Sequence, residues 1–266
     1  MIIFVIPAYD EEENIAALLE STRKRMDVLG RACRVLVIDD GSQDRTAEIA
    51  GSFSAHLPVE IVRHDSNRGV GEVFRTGFRR ALEIAGPDDI IVTKEADNTS
   101  DLSILGSMLT KIDAGYDVVL ASCFAPEGKI LGSTLDRHVL SSVANFLLRT
   151  FFPIPGVHTY SSFYRAYRAD VLRRAFSAYD GRLLELRGFA CMVEMLIKLS
   201  RLPILVAEVP MVLQCDLRKG TSKMTRVKTI LEYLWLISRE ILRSRAEESR
   251  VRAVFGGLSD VDPRPL

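Results

Sequence analysis

The sequence has few cysteines, no long apolar run and no excess of charge of either sign. Its four cysteines stand far apart among 266 residues and form no Cys-x-x-Cys pair, which argues against a zinc site or a disulfide framework. This usage is typical of a reducing compartment. No apolar run reaches the roughly 20 residues that a membrane-spanning helix requires. The opening residues lack a basic leader, so we expect no signal peptide.

Charge is balanced over the whole chain but is uneven along it. Basic and acidic residues both number 35, which gives no bias toward nucleic acid, and no nucleic-acid partner is expected. Between Leu217 and Arg252, however, ten basic residues stand against four acidic ones. A local surplus of this kind is found where proteins contact phosphates or an anionic membrane.

Apolar, β-branched runs alternate with helical patterns through the first half of the chain. Strands are predicted at Ile2–Ile6, Cys33–Ile38, Val59–Val62, Asp89–Asp97 and Val118–Ala121. Helical periodicity follows most of these runs. The alternation predicts an α/β fold with a mostly parallel central sheet flanked by helices.

The second half is predicted to combine helices with a β-prone segment at Tyr160–Arg168 and a strand at Ile204–Val209, and to end in a basic amphipathic helix. We divide the chain into one domain over residues 1–225, the amphipathic basic helix over 226–255 and a loose tail over 256–266. The basic helix either lies on anionic lipid or packs on its own domain. Glu194, within an apolar helical run, lies either on a wet face or buried with a partner.

Two acids, Glu95 and Asp97, end the predicted fourth strand. Open α/β sheets bind ligands at the carboxyl ends of their strands, and alternate residues of an extended chain point the same way. Both carboxylates would then reach one hard cation, Mg²⁺ or Mn²⁺, of the kind that also binds substrate phosphates. Taken alone, the pair is equally consistent with two solvated acids. The sequence leaves two roles open for Asp39 and Asp40: capping the helix that follows, or hydrogen bonding to a nucleotide.

Several segments together resemble the motifs of family-2 inverting glycosyltransferases. The early ones are Val5–Ile15, Val37–Thr46, Asn67–Gly71 and Glu95–Asp97. Later segments resemble the dolichol- and polyprenyl-phosphate mannose synthase branch: Phe163–Arg168, Gly188–Phe189, Val193–Leu196, Glu208–Pro210 and Gly220–Met224. The resemblance implies a GT-A fold that binds GDP-mannose or a UDP-sugar. It also implies metal-dependent, inverting transfer of mannose or glucose to an acceptor, with a polyprenyl phosphate as the expected acceptor.

The resemblance also implies residue roles. Glu95 and Asp97 would hold Mg²⁺ or Mn²⁺ on the donor diphosphate and, with Arg137, form the catalytic set. The nucleotide pocket would be lined by Pro7, Ala8, Tyr9, Glu12, Asp39, Asp40, Gly69 and Ala96. The acceptor phosphate would be positioned by Arg137, Arg218, Lys219 and Lys223. Because a phosphate is already ionised at pH 7, the acceptor needs positioning by cations rather than a strong general base.

Some positions depart from the family pattern. Glu95 replaces the first metal-binding Asp, Cys123 replaces an Arg after the fifth strand, and a later Arg falls on Leu217. Thr159 and Ser162 replace an Asp and a Gly. These losses leave two alternatives open: a weak or silent nucleotide-sugar binder, and a transferase with a soluble acceptor. The expected location is the cytoplasm, with peripheral attachment to the cytoplasmic face of the membrane as the other option.

Overall fold

A computed structural model describes residues 1–220, 226–243 and 245–257, without the side chains of 136–138, 226–228 and 245–247. The strands of this part are β1 (Ile2–Ala8), β2 (Cys33–Asp39), β3 (Val59–Arg63), β4 (Ile90–Thr93), β5 (Val118–Ser122), β6 (Lys129–Leu131), β7 (Arg165–Arg168), β8 (Val206–Pro210) and β9 (Val212–Gln214). Its α-helices are α1 (Ile15–Leu29), α2 (Thr46–Ser52), α3 (Val70–Ile84), α4 (Leu105–Asp113), α5 (Leu135–Phe151), α6 (Ala169–Ala178), α7 (Cys191–Ser200), α8 (Arg226–Leu242) and α9 (Arg245–Gly257).

Seven strands form the central sheet in the order β3–β2–β1–β4–β7–β5–β8. All neighbours in this sheet run parallel except β7, which is antiparallel to both β4 and β5. The two remaining strands, β6 and β9, pair with each other in a small parallel sheet. The predicted α/β fold with a mostly parallel sheet is confirmed.

Each face of the central sheet packs on its own set of helices. Strand residues alternate between the faces, as in β1, where Ile3 and Val5 lie on one face and Phe4 and Ile6 on the other. The first face contacts apolar residues of α3 and α5 to α9. The second contacts those of α1, α2 and α4. The carboxyl ends of β1, β2, β4 and β5 therefore open at one edge, between two helical layers.

The C-terminal segment forms two helices where one was predicted. Residues 256 and 257, assigned to a loose tail, belong to α9, while residues 258–266 lie outside the described part. If α8 continued as one straight helix, Phe255 would lie roughly 20 Å beyond Leu242 along its axis. After the break, α9 instead packs on α6 and buries Val251 and Phe255, while α8 buries Leu236 and Ile237. These four residues pack on the domain core. Within the described residues, no helix is long and apolar enough to cross a bilayer.

Candidate active site

The β1–α1 and β2–α2 loops are joined by reciprocal hydrogen bonds at the carboxyl edge of the sheet. The N–H of Asp10 donates to Ser42 Oγ (3.0 Å), and the Asp10 carboxylate accepts from the N–H of Gln43 (2.8 Å). Glu12 repeats the pattern, since its N–H donates to Asp44 Oδ2 and its Oε2 accepts from the N–H of Arg45. These bonds fix the two loops against each other. This edge brings together six residues that were predicted to line the nucleotide pocket: Pro7, Ala8, Tyr9, Glu12, Asp39 and Asp40.

The two acids after β2 have different surroundings. Asp40 is buried, and its carboxylate accepts from the N–H groups of Arg68 and Gly69, both at 2.9 Å, and lies 2.8 Å from His64 Nδ1. Its oxygens therefore hold the loop before α3. Asp39 Oδ1 accepts only the N–H of Ser42, and Oδ2 forms no well-directed hydrogen bond within the described residues, although Arg63 is near. Asp39 Oδ2 is thus paired with Arg63 Nε at 3.1 Å, without the directed hydrogen bonds that hold the Asp40 carboxylate.

Glycine at positions 69 and 71 permits a close backbone contact beside Asp40. Gly69 has φ +92°, and a Cβ there would lie 2.7 Å from Arg187 O. A Cβ on Gly71 would lie 1.9 Å from Leu186 O, and the Gly71 N–H donates to Arg187 O at 2.9 Å. No larger side chain fits either position without moving the backbone of residues 186–187. The glycine turn therefore sits between Asp40 and residues 186–187.

Glu95, Ala96 and Asp97 follow β4, which ends at Thr93 and not at Asp97 as predicted. The two acids therefore meet because the chain turns here, and not because of strand pleating. Glu95 Oε2 is buried and has no hydrogen-bond partner among the described residues. Burial raises the pKa of Glu95; Lys94 opposes this shift, and the negative charge of Asp97 adds to it. Only Ala96 separates the two acids in this turn, so both follow directly from the carboxyl end of β4.

Arg218 lies directly against Asp97. Its Nε donates to Asp97 Oδ2 at 2.9 Å, Nη2 bonds the same oxygen, and Thr99 donates to Oδ1 from both its N–H and its hydroxyl. Burial works to raise the pKa of Asp97, but Arg218 and Thr99 outweigh it, so that the pKa lies below its usual value. The ion pair places one predicted acceptor residue beside the predicted metal ligands.

Lys219 is anchored through its backbone. Its N–H donates to Asn14 Oδ1 (3.1 Å), and Asn14 Nδ2 donates back to Lys219 O (3.0 Å). The segment after β9 is thereby fastened over the carboxyl edge of the sheet. A cleft of about 140 Å³ beside this contact is lined by residues 10–14, 44, 219 and 220. Because most of these are acids, the cleft is a poor place for a diphosphate.

Two predicted residues are not placed. Lys223 lies outside the described residues, and of Arg137 only the backbone, in the first turns of α5, is described. The sequence also missed two contributors. Asn14 was passed over as the residue before a helix, although it links residues 98 and 219. Lys94 is fully buried beside Tyr164, and burial lowers its pKa; a lysine at the end of an apolar strand was the available signal.

A divalent cation fits Glu95 and Asp97. Magnesium-type sites commonly use one or two carboxylates and complete their shell with water and substrate phosphates. For such a cation the unpartnered Glu95 Oε2 would supply one ligand, and Asp97 would supply a second once Arg218 moved off Oδ2. Within residues 1–220, 226–243 and 245–257, no cluster of three or more His, Cys, Asp or Glu side chains is arranged for a metal. The chain therefore offers only part of a coordination shell, which suits a cation whose other ligands are water and substrate phosphates.

Two of the departures from the family pattern lie in contact. Thr159 Oγ1 lies 2.7 Å from Ser122 Oγ and accepts from the N–H of Phe124 (3.3 Å). Thr159 also hydrogen-bonds Cys123, whose pKa burial raises to about 11. The thiol is therefore neutral at physiological pH. A neutral thiol thus stands at position 123, where the resemblance led us to expect an Arg.

Comparison with known proteins agrees with this geometry. The model of glycosyl transferase family 2 matches residues 3–176, well over half of the chain. The chain is 28% identical over 252 residues to polyprenol monophosphomannose synthase of Mycolicibacterium smegmatis, covering 92% of this chain and 89% of that protein. It is 29% identical over 225 residues to undecaprenyl-phosphate mannosyltransferase of Micrococcus luteus, covering 84% and 87%.

Solved structures show the same fold at lower identity. Glucosyl-3-phosphoglycerate synthase of M. tuberculosis superposes with a TM-score of 0.62 at 18% identity, covering 92% of this chain and 82% of that one. S. aureus TarS gives a TM-score of 0.56 at 19% identity, covering 97% and 71%. The motifs, the sheet order and the family match lead to one conclusion: the chain belongs to glycosyl transferase family 2 and has a GT-A-like fold.

Proposed function

We propose that the chain transfers a sugar, mannose or glucose, from a nucleoside diphosphate donor to a polyprenyl phosphate, with inversion at the sugar carbon. The observation that carries the proposal is the pair Glu95 and Asp97 at the carboxyl edge of the sheet, one with an unpartnered buried oxygen and the other held by Arg218. The named relatives are polyprenyl-phosphate mannosyltransferases, and the M. tuberculosis synthase was crystallised with Mn²⁺ and UDP.

The site residues divide the work between donor and acceptor. A divalent cation held by Glu95 and Asp97 would neutralise charge on the departing diphosphate. Asp39, whose Oδ2 is paired with the largely exposed Arg63, would bond the nucleotide, and Asp40 fixes the glycine turn beside it. Arg218, which contacts Asp97, and the adjacent Lys219 would supply positive charge for an acceptor phosphate. In this proposal Arg137 adds a third cation.

The outer helices support an acceptor held in a membrane. Large apolar side chains are exposed along α5 at Leu135, Val139, Val143 and Phe146, and along α8 at Leu231, Leu234, Trp235 and Ile241. The predicted apolar face of α5 thus points mainly to solvent. The two helices contact each other, and exposed apolar surface of this extent marks an interaction site.

The charges on these helices favour an anionic lipid surface. The two acids of α8 turn inward, since Glu232 lies against the backbone at Gly188 and Glu240 is buried with Arg201 and Arg243. Arg149 on α5 is exposed and remains available to phosphate headgroups, whereas Arg239 on α8 is paired with Glu194 and Glu240. We therefore propose peripheral attachment to the cytoplasmic face of the membrane through α5 and α8.

A donor screen tests the proposal. Purified protein is mixed with undecaprenyl phosphate in detergent, Mn²⁺ or Mg²⁺, and either GDP-mannose, UDP-glucose or another nucleotide sugar, and release of nucleotide is measured. We expect release with one donor, dependent on both the cation and the lipid phosphate. Binding without release under every condition would favour a silent binder, and release only with soluble acceptors would remove the lipid.

A further inference from the structure

Glu194 on α7 is a fully buried carboxylate outside the proposed cation site. The sequence left open whether it lies on a wet face or is buried with a partner, and the structure buries it completely. Its Oε1 accepts from Lys198 Nζ at 2.7 Å and from Arg239 of α8. Its Oε2 accepts from the N–H groups of Glu185 and Leu186, both at 2.8 Å. One carboxylate thus joins two helices to a stretch of irregular backbone.

That backbone stretch leads directly to the donor edge. The two residues that follow Glu185 present their carbonyls to the glycine turn before α3: Leu186 O faces Gly71, and Arg187 O accepts from the Gly71 N–H at 2.9 Å. On its other side the turn is held by Asp40, which accepts from the Gly69 N–H. The turn is therefore clamped between two carboxylates, directly by Asp40 and through residues 185–187 by Glu194.

We infer that Glu194 is a positioning residue of the donor site: by holding the N–H groups of Glu185 and Leu186, it sets where the Gly69–Gly71 turn stands. The part of this inference that concerns the donor rests on the proposed function. Since the contact at Gly71 leaves no room even for a methyl group, a small shift of residues 185–187 passes directly to the turn.

The negative charge of Glu194 is required, and not only its shape. A carboxylate accepts on both oxygens, here from two amides on one side and two cations on the other. In Glu194→Gln, an NH₂ group replaces one carboxylate oxygen. It must then face either the two backbone N–H groups or the two cations, all of which are hydrogen-bond donors like itself. The lost bonds are charge-assisted and buried, where they are stronger than ordinary hydrogen bonds.

Glu194→Gln tests the inference by two measurements. In the ligand-free protein, we expect faster amide hydrogen exchange in residues 67–72. In calorimetry with Mn²⁺ and GDP-mannose or UDP-glucose, whichever the wild type binds, we expect the donor Kd to rise about tenfold, the effect of losing one strong hydrogen bond. The KM for undecaprenyl phosphate should stay unchanged, a split that general loss of stability would not produce.

Glu240→Gln is the matched control. Glu240 is a buried carboxylate of the same group of charges, paired with Arg201, Arg239 and Arg243, but among the described residues it forms no hydrogen bond or ion pair with residues 185–187. It should lower stability without changing exchange at 67–72 or the donor Kd. Equal changes in Glu240→Gln and Glu194→Gln, or an unchanged donor Kd in Glu194→Gln, would overturn the inference.

Gly71→Ala disturbs the same contact from the glycine side. It provides the test if Glu194→Gln does not fold. Its added Cβ meets Leu186 O and should reproduce the faster exchange and weaker donor binding. Combined with Glu194→Gln, its effect should be less than additive, because both act through one segment. Full additivity, or normal exchange in Gly71→Ala, contradicts the mechanism. A wild type that binds no nucleotide sugar ends the proposed function, while the exchange data still decide the positioning role.

Discussion

The loops at the donor edge direct their polar groups toward each other, whereas helices α5 and α8 direct apolar groups toward solvent. At the edge, Asp10, Glu12 and Asp40 each bond backbone N–H groups of another segment. On the helices, Phe146 and Trp235 are 68% and 52% exposed. The first region is complete within the chain, and its geometry is set before any ligand arrives. The second packs its inner face on the core and leaves large apolar side chains in water.

Removing Asp97 should have the largest effect on turnover. Asp97→Ala takes away one of the two carboxylates that we propose hold the cation, and it leaves Arg218 without its partner. We expect turnover to fall about a thousandfold or more, the scale on which single electrostatic groups act in catalysis. Asp101→Ala, four residues on at an exposed helix start, should retain activity. Nucleotide release assays compare the two, and substantial activity in Asp97→Ala would show that the cation is held elsewhere.

Removing Asp40 tests whether the donor edge is internally fixed. Asp40→Ala leaves two partly buried N–H groups and the buried His64 without their acceptor. We expect the free energy of unfolding to fall by about 3 kcal/mol, from urea curves of unchanged slope. Asp65→Ala, with its side chain 98% exposed, should change it by no more than about 0.5 kcal/mol. Similar losses for both variants would mean that the turn is not held by Asp40.

Negative charges placed on α5 and α8 should weaken membrane binding and leave the donor edge unaffected. In Phe146→Asp with Leu234→Asp, binding to vesicles containing anionic lipid should weaken about thirtyfold, since two buried apolar contacts are replaced by repelled charges. The chain's only tryptophan, Trp235, reports binding by its fluorescence. Nucleotide-sugar binding should be unchanged.

The control for that experiment places the same charges elsewhere. Val28 on α1 and Leu205, just before β8, are also exposed, and both can be changed to Asp. This double variant should bind vesicles like the wild type. Equal weakening would show that net charge alone governs attachment. Dimerisation of the wild type, lost in the α5–α8 variant, would identify a second copy as the partner of this surface.

The smallest effect is expected at Arg218, which closes over the donor edge. In Arg218→Gln, a competing cation leaves Asp97 Oδ2. We expect Mn²⁺ to bind about fivefold more tightly without nucleotide, the modest scale of a partly exposed ion pair. Electron paramagnetic resonance of free Mn²⁺ measures this directly. Weaker Mn²⁺ binding would mean that Arg218 does not compete with the cation.

The acids at the strand ends were predictable, but most of their partners were not. The motif residues predicted that Glu95 and Asp97 would share one place, yet β4 stops at Thr93 and a turn brings them together. Asp97 meets Arg218 across 121 positions, and Asn14 meets Lys219 across 205. Local pattern carries no information about contacts at such separations.

The sequence by itself determined the alternation of strands and helices, because apolar periodicity follows from which faces of each element must leave water. It also determined the family, through short motifs whose residue types are specific. Tertiary structure alone decided the environment of each face. An apolar stripe on α5 has the same periodicity whether it meets the core or solvent, and Glu194 in an apolar helix has the same neighbours in sequence whether wet or buried. Only packing against α8 and residues 185–187 distinguishes these cases.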